Sequence, residues 1–90
     1  MPQIHIPASL RPHVNHLAVI SVDGATVEEV LFKIFELHPA LESAMMNGAQ
    51  QIHPFFNLFV GENNIRDLQQ LKTPVTANQV LLIVPALAGG

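Results

Sequence analysis

The stretch TVEEVLFKIFEL, residues 26–37, decides the fold that this sequence predicts. Its apolar residues recur at intervals of three and four, which places them in one stripe on a single face of an α-helix. Thr26 has the side chain of a helix N-cap, and Glu29 three residues later completes the pattern of a capping box. The stripe consists of Val27, Val30, Leu31, Ile34 and Phe35.

Proline sets the expected end of this helix. Pro39 disfavours helical geometry at His38, so the main helix should weaken there. We expect residues 40–47 to add a further turn of helix, with Gly48 as its stop. The stretch that continues to His53 is expected to be an exposed loop.

Shorter segments on both sides of the helix indicate β-strands, because they alternate apolar and polar residues or are rich in β-branched side chains. The expected strands are residues 3–6, 16–22, 55–60 and 79–84, with a short additional strand starting at Ile65. The first two should form a hairpin across a loop at residues 8–15. One helix on a small mixed sheet is an α+β arrangement, in which we expect the first and last strands to lie side by side in the middle.

Composition limits the functions open to these 90 residues. Apolar residues make up 49% and charged residues 12%, which indicates one globular domain with either a large core or apolar side chains left for a partner. The four basic residues are spread along the chain, so we expect no nucleic-acid ligand. Cysteine is absent, which excludes disulfides, thiolate nucleophiles and cysteine-based metal sites.

Targeting and membrane-spanning segments are not indicated by the sequence. No charged segment followed by an apolar run opens the chain, so we expect no signal peptide. The longest apolar run, residues 80–88, contains Pro85 and is too short for a membrane span. We therefore expect no membrane partner and a cytoplasmic location.

Five histidines raise the question of a metal site. His13 and His16 are three residues apart, but they straddle a loop and the start of a strand, and no carboxylate lies near them. Metal sites need convergent ligands. We expect scattered surface histidines and no metal.

Several features of the chain resemble the ubiquitin-like sulfur carriers ThiS and MoaD. These are the order of the elements, the closing PALAGG at residues 85–90 and the turn VGENNI at residues 60–65. Within that family, Ile6-Pro7 followed by LRPH at residues 10–13 resembles more closely the mycobacterial carrier of cysteine biosynthesis. The resemblance implies a β-grasp (ubiquitin-like) fold for residues 1–85 and a flexible tail at residues 86–90. The sequence departs from the family at residues 76–79, where members often carry an acidic, glycine-containing turn.

The same resemblance implies what the tail does. An adenylyltransferase of the E1-like class would use ATP to form an acyl-adenylate on Gly90, and a sulfur donor would then replace AMP. The product is a thiocarboxylate, carried as 1-thioglycine at Gly90, from which a sulfur-accepting biosynthetic enzyme takes the sulfur. The chain itself would bind no cofactor and would be a carrier acted on by enzymes rather than an enzyme.

The residue types of the tail suit that chemistry. Glycine has no Cβ and reaches backbone conformations closed to other residues, so Gly89 and Gly90 give a thin end that can enter a narrow channel. Ala86 and Ala88 flank Leu87 and keep the approach narrow, and Pro85 is expected to end the last strand. With glycine at about 7% of residues, chance alone would give a terminal Gly-Gly roughly 0.5% of the time. A truncated chain that happens to stop here, or a precursor cut after Gly90, would show the same ending.

A second candidate site lies in the strands. If Leu81 and Ile83 face the helix, alternation sends Leu82 and Val84 to the opposite face, where Phe59 could join them. The family resemblance implies a hydrophobic surface that docks the activating enzyme, together with Ala86, Leu87 and Ala88 of the tail. A face covered by a loop and a self-association surface are the alternatives, and a register slip of one residue would exchange the two faces.

Two other functions remain open for the whole chain. A ubiquitin-like modifier would pass the activated Gly90 to a lysine of a target protein. A β-grasp interaction module would have an inert tail. The pathway that receives the sulfur is not readable from these residues.

Overall fold

The structure, a computed structural model, describes residues 1–48 and 51–86. A mixed sheet of five strands carries two helices on one side. The strands are β1 Gln3–His5, β2 Val19–Ser21, β3 Phe56–Val60, β4 Asn63–Asn64 and β5 Val80–Pro85. The helices are α1 Val27–Leu37 and α2 Pro39–Met45.

The strand order in the sheet is β2-β1-β5-β3-β4. β1 runs parallel to β5, and the other neighbouring strands are antiparallel. The first and last strands therefore lie side by side in the interior of the sheet, as predicted. A parallel pair needs a crossover connection, and α1 lies within the connection that leads back to β5.

Helix α1 begins as the capping pattern predicts. The Glu29 N–H donates to Thr26 Oγ1 at 3.2 Å, which satisfies one of the free donors of the first turn. The Glu29 carboxylate reaches back and accepts from the Ala25 N–H at 3.1 Å, one residue before the usual position in a capping box. The helix ends at Leu37, and His38 separates it from α2, whose first residue is Pro39.

The core lies between α1 and the sheet. All five residues of the α1 stripe are buried, and so are the inward residues of the central strands. Together they form one continuous cluster with Ile4, Leu58, Leu81 and Ile83. A single core on one side of the sheet leaves the other face of the sheet without a helix.

The first connection was predicted as a loop, and that prediction is wrong. Residues Ala8–Val14 form a 3₁₀ helix whose Leu10 and Val14 are buried in the core. Asn15 and His16 then adopt positive φ angles of 56° and 62°, so β2 begins only at Val19. Three of the seven residues assigned to the second strand are therefore strand.

The last strand ends at Pro85 as predicted, but hydrogen bonding continues one residue beyond it. Pro85 is the final residue of β5 and lies opposite Phe56, and the Ala86 N–H still donates to the Phe55 carbonyl oxygen. Antiparallel hydrogen bonds alternate along a strand, so the Pro85 nitrogen points away from β3 and toward β1. Because β1 has already ended at His5, the missing N–H removes no bond from the sheet.

The short additional strand is displaced from its predicted start. β4 covers Asn63–Asn64, and Ile65 begins a 3₁₀ turn instead. The Asn64 side chain caps that turn by accepting from the Arg66 N–H at 2.9 Å. The capping side chain of Asn64 thus ends the strand before Ile65, which turns inward and is buried.

Candidate functional site

Strand β5 separates its side chains between two faces of the sheet. Leu81 is 0% exposed and Ile83 is 3% exposed, whereas Leu82 and Val84 are 37% and 40% exposed. Successive side chains of a strand point to opposite faces, so these four positions define an inner and an outer face. The outer face is the one without a helix, as the sequence predicted.

The register of β3 brings Phe59 to the same outer position. Phe59 lies directly opposite Leu82, and Asn57 lies opposite Val84. Paired residues of neighbouring strands share a face and are in contact distance of each other. Phe59, which is half-buried, thus adjoins Leu82 and Val84, and we call these three residues the open-face patch.

The patch is part of a row that crosses all five strands. Val19 pairs with His5, His5 pairs with Leu82, and Phe59 pairs with Asn64 on its other side. Val19 is exposed, so it adds apolar surface on the β2 side. Val19 and His5 were not predicted from the sequence, because their position beside Leu82 follows only from the strand order.

Two asparagine side chains adjoin the patch. Asn64 Nδ2 donates to Asn57 Oδ1 at 3.4 Å, which links β4 to β3 on this face. No acid, lysine or arginine occupies an outward position of the five strands that the structure describes. Such a surface suits an apolar partner with a few hydrogen-bonding groups at its margin.

The start of the tail lies beside this patch. Ala86 is half-buried and is held to β3 by the bond from its N–H to the Phe55 carbonyl oxygen. The Phe55 ring is exposed and stands edge-on to Phe56, with ring centroids 5.3 Å apart. Phe55 is thus an exposed aromatic residue at the root of the tail that the sequence analysis did not single out.

The remaining predicted site residues belong to the tail. Leu87, Ala88, Gly89 and Gly90 lie outside the residues that the structure describes. Within residues 1–48 and 51–86, no three His, Asp or Glu side chains come together as a group that would hold a metal ion. Neither helix in that part of the chain has the length and apolar character needed to cross a membrane.

Comparison with known proteins connects this architecture to one family. The sequence model of the ThiS family matches residues 4–90. The sulfur carrier protein CysO of Mycobacterium tuberculosis (strain H37Rv) is 27% identical over 89 residues, which cover 97% of this chain and 96% of that protein.

Solved structures share the whole fold. A chain of the Amycolatopsis orientalis BexX/CysO complex superimposes with a TM-score of 0.91 at 28% identity, and the match covers 100% of both chains. The small archaeal modifier protein 1 of Methanosarcina acetivorans gives a TM-score of 0.86 at 23% identity, over 99% of this chain and 95% of that one. At that identity the second likeness concerns the fold alone, which is the ubiquitin-like β-grasp.

The family match covers nearly the whole chain, and its fold is the β-grasp that the sequence predicted. The chain belongs to the ThiS family.

Proposed function

We propose that this chain is a sulfur carrier whose working group is the carboxylate of Gly90. The observation that carries the proposal is the extent of the family match, which continues through the tail to Gly90 itself. The CysO relatives support it, because they are named sulfur carrier proteins and align over 97% of this chain.

The first step activates the carboxylate. A free carboxylate is a poor electrophile, so it needs a leaving group before sulfur can be attached. In the active site of an E1-like adenylyltransferase, an oxygen of the Gly90 carboxylate attacks the α-phosphorus of ATP. A phosphorus–oxygen bond forms, pyrophosphate leaves, and Gly90 becomes an acyl-adenylate. Because this step consumes ATP, we propose a cytoplasmic location.

The second step attaches sulfur. A donor at the oxidation level of sulfide attacks the carbonyl carbon of Gly90, a carbon–sulfur bond forms, and the carbon–oxygen bond to AMP breaks. AMP leaves with the electron pair, so the step needs no oxidant or reductant. The product is 1-thioglycine at Gly90, from which an acceptor enzyme takes the sulfur into a cofactor, an amino acid or another metabolite.

The chain supplies the carried group and the docking surface, and its partners supply the chemistry. It has no cysteine, so it cannot hold the sulfur on a thiol of its own. The thin backbone of Gly89 and Gly90 suits entry into a nucleotide site of another protein. The presence of a CysO chain in a complex with BexX supports the use of protein partners by a carrier of this fold.

The open-face patch is the proposed docking surface for the activating enzyme. Fully burying a leucine or valine side chain contributes about 1.5–3 kcal/mol, and more than a third of Leu82 and Val84 is still exposed. Covering the two should therefore contribute on the order of 1–2 kcal/mol of binding. Because Val84 is two residues from Ala86, a partner on the patch would also contact the start of the tail, including Leu87 and Ala88.

Intact mass spectrometry tests the proposal. The chain is incubated with an E1-like adenylyltransferase, ATP and sulfide, and its mass should rise by the exchange of one oxygen for one sulfur. The gain should require ATP and should be absent from a variant lacking Gly90. No gain with several competent partners would contradict the proposal.

Two further measurements separate the rival functions. A protein modifier would form isopeptide conjugates with lysines of target proteins, which appear as larger species in cell extracts. An interaction module with an inert tail would keep its function after removal of Gly89 and Gly90. A carrier should show the sulfur-dependent mass gain and lose it with the two glycines.

A further inference from the structure

A second surface with the character of a binding site lies in the helical layer. It is a groove of about 730 Å³ between the end of α1, the α2 helix and the residues that follow α2. That volume falls within the range of roughly 300–1,000 Å³ found for ligand-sized clefts. The lining residues used below are Phe32, Phe35, Glu36, Pro39, Glu42 and Met46.

Phe32, Phe35 and two further apolar residues line the groove. The Phe32 ring is 41% exposed, and its centroid lies 6.3 Å from that of Phe35, which is buried in the core. The other two are Pro39, which is exposed, and Met46, which is half-buried. A phenylalanine left open beside a cleft offers an anchor for an apolar side chain of a partner.

Two carboxylates also line the groove. Glu36 projects from the end of α1 and Glu42 from α2, and none of the described lining residues is a lysine or an arginine. Within residues 1–48 and 51–86, the salt bridge between Lys72 and Glu28 uses neither of the two carboxylates. Two unpaired negative charges beside apolar lining residues disfavour the binding of phosphates, nucleic acid and anionic lipid surfaces. The same two charges favour a cationic ligand.

We propose that this groove binds a short cationic amphipathic segment of a partner protein. An apolar side chain of that segment packs on Phe32 and Met46, and a lysine or arginine beside it pairs with Glu36 or Glu42. Helices that dock in grooves use this combination of an apolar stripe and flanking charge. The proposal does not depend on the sulfur chemistry of Gly90.

The position of the groove sets it apart from the open-face patch. The groove is formed by the helical layer, whereas Phe59, Leu82 and Val84 lie on the face of the sheet without a helix. The sheet and its core separate the two surfaces. One molecule can therefore hold a partner on each side at the same time.

An NMR titration of the ¹⁵N-labelled full chain tests the groove. The probe is a capped peptide of sequence KLLKKLLKKLL at low ionic strength, and the control peptide is ELLEELLEELL. The cationic probe should give saturable chemical-shift changes centred on residues 32–48, and the acidic peptide should give none. Added salt should weaken binding, because the pairing charges are exposed.

Charge-neutral variants sharpen the test. Glu36→Gln combined with Glu42→Gln should weaken binding of the cationic peptide about tenfold, since two charge pairs are lost. The matched control, Glu62→Gln with Asp67→Asn, removes the same number of exposed charges outside the groove and should change the affinity less than about twofold. Phe32→Ser should weaken binding as well. Equal effects of the two double variants, shifts centred on the open-face patch, or no saturation at millimolar peptide would overturn the proposal.

Discussion

Neighbouring leucines of β5 lie on opposite faces of the sheet. Leu81 is fully buried against the helical side, and Leu82 is exposed beside Phe59 on the outer face. The difference arises from strand alternation, since the two side chains have the same chemistry. The same substitution at the two positions should therefore have different consequences.

Truncation of Leu81 should destabilise the fold, whereas truncation of Leu82 should weaken docking. We expect Leu81→Ala to lower the free energy of unfolding by about 2–5 kcal/mol, because it removes buried contacts and leaves a cavity. Leu82→Ala should change it by less than about 1 kcal/mol while reducing affinity for the activating enzyme. Urea unfolding and partner titration measure the two effects, and a reversed pattern would show that the faces are assigned wrongly.

Gly61 is held in a backbone conformation that other residues adopt at a cost. Its φ is +61° in the turn between β3 and β4, and no atom would lie within 4 Å of an added Cβ. Gly61→Ala should therefore lower the free energy of unfolding by about 1 kcal/mol, through backbone strain alone. Gly48, where an added Cβ also meets open space and φ is not positive, is the matched control. Thermal unfolding of both alanine variants should show a lower Tm for Gly61→Ala only, and equal Tm values would contradict this account.

At the scale of single elements, two side chains cap the start of α1. Thr26 accepts the Glu29 N–H, and the Glu29 carboxylate accepts from Ala25. Thr26→Ala should lower the free energy of unfolding by about 1 kcal/mol, because it leaves a donor of the first turn without its partner. Thr26→Ser keeps the hydroxyl, so it should lower the free energy of unfolding much less. Urea unfolding measures both variants. If the serine and alanine variants have the same free energy of unfolding, the cap contributes nothing to stability.

The sequence predicted those elements that are determined by residues close together in the chain. The cap, the apolar stripe and Pro39 all act within a few residues, so the bounds of α1 could be read directly. The 3₁₀ helix before β2 could not be predicted, because Leu10 and Val14 form no helical pattern long enough to detect. A 3₁₀ helix also has fewer residues per turn than an α-helix, so its apolar residues recur at a different spacing. Their burial depends on contacts with α2, which the chain makes only when folded.

Pro85 is a second case in which the local sequence did not determine the hydrogen bonding of the sheet. Proline is a reliable break only where its missing N–H would have joined a hydrogen bond of the sheet. Here that nitrogen points to the side where β1 has ended, so pairing with β3 continues to Ala86. The identity of the neighbouring strand decided the outcome, and strand order is not contained in the local pattern.

At the scale of the whole molecule, the described core ends several residues before the proposed carrier group in the sequence. Among the described residues, every member of the buried cluster lies at or before Ile83, well short of Gly89 and Gly90. Removing those two glycines should therefore leave the free energy of unfolding unchanged within about 0.5 kcal/mol. It should also abolish the ATP-dependent gain of sulfur. A large loss of stability would show that the tail belongs to the fold.

Only part of the candidate site could be predicted from the sequence. The outward positions of Leu82 and Val84 followed from strand alternation, and Gly90 stays a prediction from the sequence motif. Val19, His5 and Phe55 were not predicted, because only the pairing of β1 with β5 and of Phe55 with Ala86 brings them to that surface. The acidic groove likewise required the packing of α2 beside α1.

The location of sulfur in the chain tests the central claim most directly. After incubation with the adenylyltransferase, ATP and sulfide, trypsin should release residues 73–90, which carry the C-terminal carboxylate. Because the chain has no cysteine, added sulfur cannot be a persulfide on this protein. Tandem mass spectrometry should place one sulfur in exchange for one oxygen on Gly90, and sulfur at any other residue, or none in that peptide, would contradict the account.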